Sequence, residues 1–509
     1  MNIPPITIKY KSWLYLLILS LVFAGVYIYT FDSKIAVLGD NAYYYILGKA
    51  LAEGEGYVNI SNINKPPNYH YPPGYPAIIG LTLFLGASTF SIKVLNGIFL
   101  LLTIYIFYFL FKKLLNEDIA FIASLMILLN SHILYYSSIM MSEIPFMFFS
   151  GLSILLFFKA SEKGYNIKDL NFIGALLSML IAYYIRSLGL AIFAGFFLHF
   201  IIKRQWKYLV ICFFFLVVGA LPWFIRGQHT ESSSYLNQLS LINPYQPALG
   251  RAGFGDFAER VLENISRYIT FEIPSALFPN IDPDYWNDAT LGDWVIGSIL
   301  IGIAILGLIS QRKHRWILIG YTLGTFGILM IWPSVWIGVR FIVPFIPILI
   351  YTFLNGINEI FQRIASALGQ KSLTPLLLLF ILLFAWGPIK NLHKTAKADY
   401  YPALNNYFKI ANWLSKNVKQ DAVVSCAKPA LLYLKAKTFT MRYKFDQNPG
   451  ELIQDLEDKQ VDYVVLDQFY KNTYKYLIPA IRNYPQRFQK VIELEKPNTY
   501  LLKFKEKND

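Results

Sequence analysis

Apolar runs of near-membrane length recur along this 509-residue chain from residue 13 to residue 388. A bilayer core takes roughly 20 apolar residues of helix to cross. Only helices and closed barrels can satisfy their backbone groups inside it. Runs at 13–31, 92–111, 119–136, 144–160, 171–186, 187–202, 207–225, 294–310, 316–332, 340–356 and 373–388 meet or approach that length, which predicts eleven spans. Tyr75–Phe90 is apolar but short, holds Gly80 and Gly86, and follows a Pro-rich loop; it reads as an interfacial or re-entrant helix. The chain is 55% hydrophobic and only 15% charged, far below the charge of a soluble protein of its size. The fold class expected is a polytopic α-helical membrane protein of about eleven spans with interfacial helices and a C-terminal soluble α/β domain.

The formal charge of +14 does not point to nucleic acid. Lys and Arg fall in short loops: Lys9/Lys11, Lys112/Lys113, Lys163/Lys168, Lys203/Arg204/Lys207, Arg312/Lys313/Arg315 and Arg363/Lys371. With a cytoplasmic N-terminus these all lie inside, a consistent positive-inside pattern. Counting Tyr75–Phe90 as a span would invert every later loop. Asp40, His70, Glu143, the loop Arg226–Asp293 and the tail then lie outside. The first span, about Trp13–Phe31, is too long for a signal-peptide core and lacks a small-residue cleavage site, so it reads as a retained signal anchor. The two cysteines, Cys212 in an apolar run and Cys426 in the polar tail, imply no disulfide framework.

Two domains are expected: a membrane catalytic domain over 1–388, with external loops 32–91 and 226–293, and an external α/β domain over 389–509. In the tail, Tyr401–Val418 fits an amphipathic helix. Ala422–Cys426 and Val461–Leu466 read as buried strands, with Pro449–Lys459 as a helix between them. Val491–Glu495 and Thr499–Phe504 read as a hairpin around Pro497-Asn498.

The chemistry-bearing residues gather outside the spans. Asp40, in Gly39-Asp40-Asn41-Ala42-Tyr43-Tyr44-Tyr45, opens a surface helix that ends at Gly54-Glu55-Gly56. It reads either as a helix cap or as a general base for a hydroxyl. Glu143 stands in Met140-Met141-Ser142-Glu143-Ile144-Pro145, as an interfacial cap or a second acidic group. Two carboxylates facing one cavity could share a divalent ion, so Asp40 and Glu143 are the metal ligands if a metal is used. Arg340 opens Gly338-Val339-Arg340-Phe341-Ile342-Val343-Pro344-Phe345-Ile346-Pro347; it reads as a snorkelling arginine or, with its fork of donors, a phosphate ligand. Arg186 is a weaker candidate, for a structural or headgroup role. The external loop from Ser234 to Trp294 carries several acids to which no individual role falls. No Walker loop, dinucleotide fingerprint or zinc spacing is present in the sequence.

Gly39-Asp40-x-Ala42-x-Tyr44-Tyr45, followed by Tyr71-Pro72-Pro73-Gly74-Tyr75-Pro76, resembles the first external loop of the GT-C class of membrane glycosyltransferases. More narrowly it resembles the group of protein O-mannosyltransferases and lipid A aminoarabinose transferases. The Gly-x-Arg-Phe-x-x-Pro-x-x-Pro run at 338–347 is similar to the late-helix arginine segment of that class. The resemblance implies an inverting glycosyltransferase that moves a sugar from a polyprenyl-phosphate donor to an acceptor hydroxyl on the outer face of the plasma membrane. It implies Asp40 as catalytic base, with Glu143 as the second acid. Arg340, His70 and Lys65 would hold the donor phosphate, and Tyr44, Tyr71 and Tyr75 would line the substrate pocket. Partners would be the lipid donor, a glycan, lipid or protein acceptor, and membrane lipids, but no nucleic acid. Asp40-Asn41 departs from the Asp-Glu of the dolichol-type protein mannosyltransferases, which argues against that function. The competing readings are a lipid-linked glycan transporter or flippase, which should carry ionisable residues at mid-membrane, and an oligosaccharide ligase or polymerase.

Overall fold

The computed structural model describes residues 5–37, 39–228, 235–368 and 374–505. Lys371, Ser234 and the start of the last predicted span lie outside them. The chain divides into two compact units. One comprises Met1–Lys34, Tyr69–Tyr75 and Thr89–Ala396; the other comprises Ile35–Asn68, Pro76–Ser88 and Lys397–Asp509.

The first unit is helical. It contains α1 (Pro5–Thr30), α4 (Thr89–Lys112), α5 (Glu117–Leu129), α6 (Ser131–Ser137), α7 (Glu143–Glu162), α8 (Leu170–Ile185), α9 (Leu190–Ile202) and α10 (Trp206–Gln228). After these come α11 (Tyr235–Leu239), α12 (Phe254–Arg267), α13 (Ile273–Leu277), α14 (Leu291–Ser310), α15 (Arg315–Ile331), α16 (Ile346–Leu368) and α17 (Thr374–Lys397). Among the described residues six helices are long and apolar enough to cross a membrane, or seven if the bent pair α5–α6 is one span. That pair turns by 58° at Asn130. The Asn130 side chain accepts from the His132 and Ile133 N–H groups and so caps α6. The predicted spans at 171–186, 187–202 and 316–332 fall on apolar helices too short for that test, as does Gly74–Phe84. The sequence's eleven is therefore an upper reading, while the multi-pass membrane character stands.

The exterior of this unit supports that character. Val210, Phe213, Phe214, Val218, Leu221 and Phe224 on α10 are all exposed. In water such a face would be costly; in lipid it is ordinary solvent contact. Inside, α14 packs closely on α16 because Gly307 and Gly356 carry no side chains; a Cβ on either would strike the partner backbone.

The second unit is a three-layer α/β domain. It contains α2 (Gly39–Ala52), α3 (Gly74–Phe84, whose first two residues belong to the helical unit), α18 (Pro402–Asn417), α19 (Pro429–Ala436), α20 (Pro449–Asp458) and α21 (Ile478–Asn483). Its strands are β1 (Val423–Ser425), β2 (Phe439–Met441), β3 (Tyr463–Leu466), β4 (Phe488–Leu494) and β5 (Thr499–Phe504), in the order β2-β1-β3-β5-β4. β1, β2 and β3 are parallel; β5 runs antiparallel to β3 and β4. Alternation along each strand sends Val424, Val465 and Leu501 to the side of α18 and α19. It sends Val423, Val464 and Leu502 to the side of α20 and α21. The predicted helices, buried strands and terminal hairpin of the tail are all present.

Residues 35–68 and 76–88 of the first external loop belong to this unit, while 69–75 belong to the helical one. Ala42, Ile46 and Ala50 of α2 pack with Ile60 against Ala430 of α19. The Thr440 N–H of β2 donates to Ser61 O at 2.7 Å, so the loop extends the outer edge of the sheet. The domain boundary drawn on the sequence keeps 32–91 with the spans; the burial of α2 against the tail groups 35–68 with the α/β unit, and 69–75 stay with the helical one.

Candidate active site

In the helical unit, three of the flagged residues converge. Glu143 is the first residue of α7 and fully buried, and Arg186 is the C-cap of α8. A carboxylate at a helix N-terminus and a cation at a helix C-terminus are each favoured by the peptide dipoles. Arg186 Nη1 donates to Glu143 Oε1 at 2.7 Å and to Ser142 Oγ at 3.1 Å. Arg340 Nε donates to the same Oε1 at 2.7 Å. The Arg340 side chain keeps 21% of its surface exposed and that of Arg186 10%, against none for Glu143. One buried carboxylate thus holds two guanidiniums together against their mutual repulsion. Arginine pairs of this kind match phosphate oxygens.

The backbone around this cluster is held from two sides. Asn96 Nδ2 donates to Ile139 O at 2.6 Å and Met141 O at 3.2 Å, fixing the turn that leads to Glu143. It also donates to the hydroxyl of Tyr75, which is fully buried, at 3.0 Å. The Pro72-Pro73-Gly74 turn lies against the end of α8: a Cβ on Gly74 would sit 2.6 Å from the Tyr184 carbonyl carbon. That explains the glycine of the Pro-Pro-Gly motif and places the loop next to Arg186.

On the other side, α12 braces the segment that ends in Arg340. Arg260, Asn264 and Arg267 recur at spacings of four and three, so they share one helix face. Arg260 donates to Leu239 O, Leu241 O and Ile331 O. Asn264 donates to Met330 O at 2.8 Å and Trp332 O at 2.9 Å. Arg267 donates to Ser334 O at 2.7 Å and pairs with the fully buried Glu272 at 2.8 Å. Gly338, at φ +123°, then turns the chain where a side chain would be strained. Part of the loop 226–293, to which no role fell in the sequence, is therefore structural support for Arg340. Arg267 and Glu272 were missed because nothing local marks a pair whose value is long-range; the 260/264/267 spacing was the available signal.

The remaining flagged residues have plain positions. His70 is half-buried, with its Nδ1 3.3 Å from Gln238 Nε2, and its ring meets Tyr71 edge-on. Tyr71 is buried in the helical unit. Asp40, Tyr44 and Lys65 lie in the α/β unit. Asp40 is half-buried in the first turn of α2 and Tyr44 is buried. The Lys65 ammonium is taken by Glu55 Oε2 at 2.8 Å, which makes it a surface ion pair rather than a ready phosphate ligand. Both cysteines are buried and free.

At Glu143, Oε1 is engaged by two guanidiniums, whose charge disfavours a dication, while the buried Oε2 has no hydrogen-bond partner. No group of three or more His, Cys, Asp or Glu placed to hold a metal occurs among the described residues.

Residues 70–223 match the family described as dolichyl-phosphate-mannose-protein mannosyltransferase. This segment includes His70, Glu143 and Arg186 but neither Asp40 nor Arg340. No curated protein sequence gives a significant match. Among solved structures, ArnT from Cupriavidus metallidurans bound to undecaprenyl phosphate is similar, with a TM-score of 0.61 at 11% identity over 97% of this chain and 98% of that one. The Archaeoglobus fulgidus oligosaccharyltransferase tethered with an acceptor peptide containing the NVT sequon has a TM-score of 0.59 at 12% identity, over 98% of this chain and 74% of that one. The same oligosaccharyltransferase in complex with Zn and sulfate has a TM-score of 0.58 at 12% identity, over 96% and 72%. The resemblance read from the first loop holds: this chain carries the fold of the GT-C membrane glycosyltransferases.

Proposed function

We propose that the protein is an inverting glycosyltransferase that moves a sugar from a polyprenyl-phosphate donor to an acceptor hydroxyl at the outer face of the membrane. The observation that carries the reading is the convergence of Arg186 and Arg340 on Glu143. It supplies a preformed phosphate-binding fork in a chain whose structural neighbour ArnT is bound to undecaprenyl phosphate. In this reading Asp40 takes the acceptor hydroxyl proton as the oxygen bonds to the anomeric carbon. The bond from that carbon to the phosphate oxygen breaks, and the lipid phosphate leaves with the electron pair. Arg340 and Arg186 stabilise the charge that develops on it. Glu143 is a positioning residue for the two arginines rather than a proton carrier. His70 is a second phosphate candidate, and Tyr71 and Tyr75 shape the loop from within the core.

The test is transfer by the purified protein in liposomes supplied with polyprenyl-phosphate-linked sugars and membrane extract. The product should have inverted anomeric configuration by NMR. Absence of transfer from every lipid-phosphate sugar, or retained configuration, would overturn the reading. Sidedness has its own check. In intact cells an impermeant thiol reagent should label Asn287→Cys but not Lys113→Cys, against the low background of two buried cysteines; the reverse pattern would overturn it.

A further inference from the structure

The α/β unit has a feature that the proposed transfer does not use. In its parallel part the strand order is β2-β1-β3, so the chain leaves β1 for a neighbour on one side and later returns to pair on the other. Open α/β sheets bind ligands at such a switch point, outside the carboxyl ends of the strands. The residues that follow the three strands here are Cys426-Ala427-Lys428 after β1, Arg442 after β2 and Asp467 after β3.

Two of these are cations: Lys428, in an unfavourable place, and Arg442, which is exposed. Lys428 is the N-cap of α19, where the helix dipole disfavours positive charge. It is half-buried, and burial together with the nearby Arg442 charge holds its ammonium below the ordinary lysine range. Its Nζ lies over the Tyr470 ring at 4.5 Å, and the Arg442 guanidinium lies over Phe445 at 5.4 Å. Among the described residues no carboxylate forms an ion pair with either. Asp467, whose charge reaches Lys428, is fully buried and spends its oxygens on the Phe469 and Tyr470 N–H groups and the Thr473 hydroxyl. Tyr407 donates to Lys428 O at 3.0 Å and fixes the turn that presents the lysine.

The same edge adjoins the helix of the first loop. α2 packs on α19, and Tyr43 of α2 lies within electrostatic reach of Arg442, Cys426 and Asp40. A half-buried lysine at a helix N-terminus and an exposed arginine after the neighbouring strand, at a switch point in the unit that holds Asp40, suit an anion.

We propose that Lys428 and Arg442 form a subsite for the phosphate or carboxylate group of an anionic acceptor, placing its hydroxyl near Asp40. The acceptor assignment rests on the reading of Asp40 as the base; the anion site stands on its own geometry.

The test uses the full-length protein in phosphatidylcholine nanodiscs with inorganic phosphate as probe, followed by phosphorus NMR line broadening. In an Arg340→Ala background, which removes half of the other proposed phosphate fork, Lys428→Gln/Arg442→Gln should weaken phosphate binding at least 10-fold, with an unchanged thermal midpoint. Asp40→Asn in that background should bind as its parent does. Equal binding by the Lys428→Gln/Arg442→Gln protein and its Arg340→Ala parent would overturn the site. Moving wild type into phosphatidylglycerol nanodiscs separates two sources of the anion. Competition lost in the double variant identifies a lipid headgroup; no competition identifies a soluble anion. Either result upholds the site. The acceptor role is read separately: sugar label from the donor should appear in the anionic fraction of a membrane extract. Label confined to the neutral fraction would overturn that role. Full activity of Asp40→Asn would remove the base assignment without touching the phosphate result.

Discussion

Arg340 and Glu143 stand 197 residues apart in sequence, and Nε of one donates to Oε1 of the other at 2.7 Å. Arg186 meets the same oxygen, so the carboxylate joins the end of α8, the start of α7 and the turn before α16. Three elements that share no local sequence signal are thereby fixed at one point.

Removing that carboxylate leaves two guanidiniums facing each other. Breaking a buried pair by deleting one partner costs about 3–5 kcal/mol. Glu143→Gln should lower stability by that order, seen as a clear fall in the thermal midpoint in nanodiscs. Glu143→Met combined with Arg186→Met should recover part of it, because one guanidinium rather than two then loses this carboxylate. Full stability of Glu143→Gln would show that the three groups are not energetically coupled.

Asp40→Asn keeps the size of the side chain in the first turn of α2. Sugar transfer should fall roughly 100-fold or more if Asp40 is the general base. Expression and thermal midpoint should change little. Transfer within a few-fold of wild type would reduce Asp40 to a favourable charge at a helix N-terminus.

Asp467 gives a pH prediction for the α/β unit. Burial, the dominant cause, raises its carboxyl from an ordinary 3.8 to about 6. Between roughly pH 4 and 6 the folded state therefore binds more protons than the unfolded one, so stability falls as pH rises through that window. The shift corresponds to about 3 kcal/mol. Asp467→Asn should match wild type near pH 4 and become progressively more stable than it by pH 7. Hydrogen exchange of the β3 amides at the two pH values reads this directly. A constant difference would show that the carboxyl does not titrate in that window.

The sequence carried the helical runs, the amphipathic helix of the tail, two of its strands and the hairpin, because periodicity is local. It also marked Glu143 and Arg340, because a charge beside an apolar run is conspicuous. The pairing between them was not legible, nor was the rank of Arg186, since both depend on contacts across the fold. The assignment of α2 to the α/β unit was hidden for the same reason: Ala42 and Ala430 meet only after the intervening chain is folded. β2 and α19 were missed as elements because three residues of strand and eight of helix give too short a period to read.

Binding of polyprenyl phosphate tests the central claim most directly. Its dissociation constant should be measured for wild type, Arg340→Lys and Arg340→Ala in nanodiscs, with folding verified by thermal midpoint. Lysine keeps the charge but loses the fork of donors, and alanine loses both. Affinity should fall in the order wild type, Lys, Ala, with the alanine variant at least 10-fold weaker. Equal affinity of a fully folded Arg340→Ala would contradict the assignment of Arg340 to the donor phosphate.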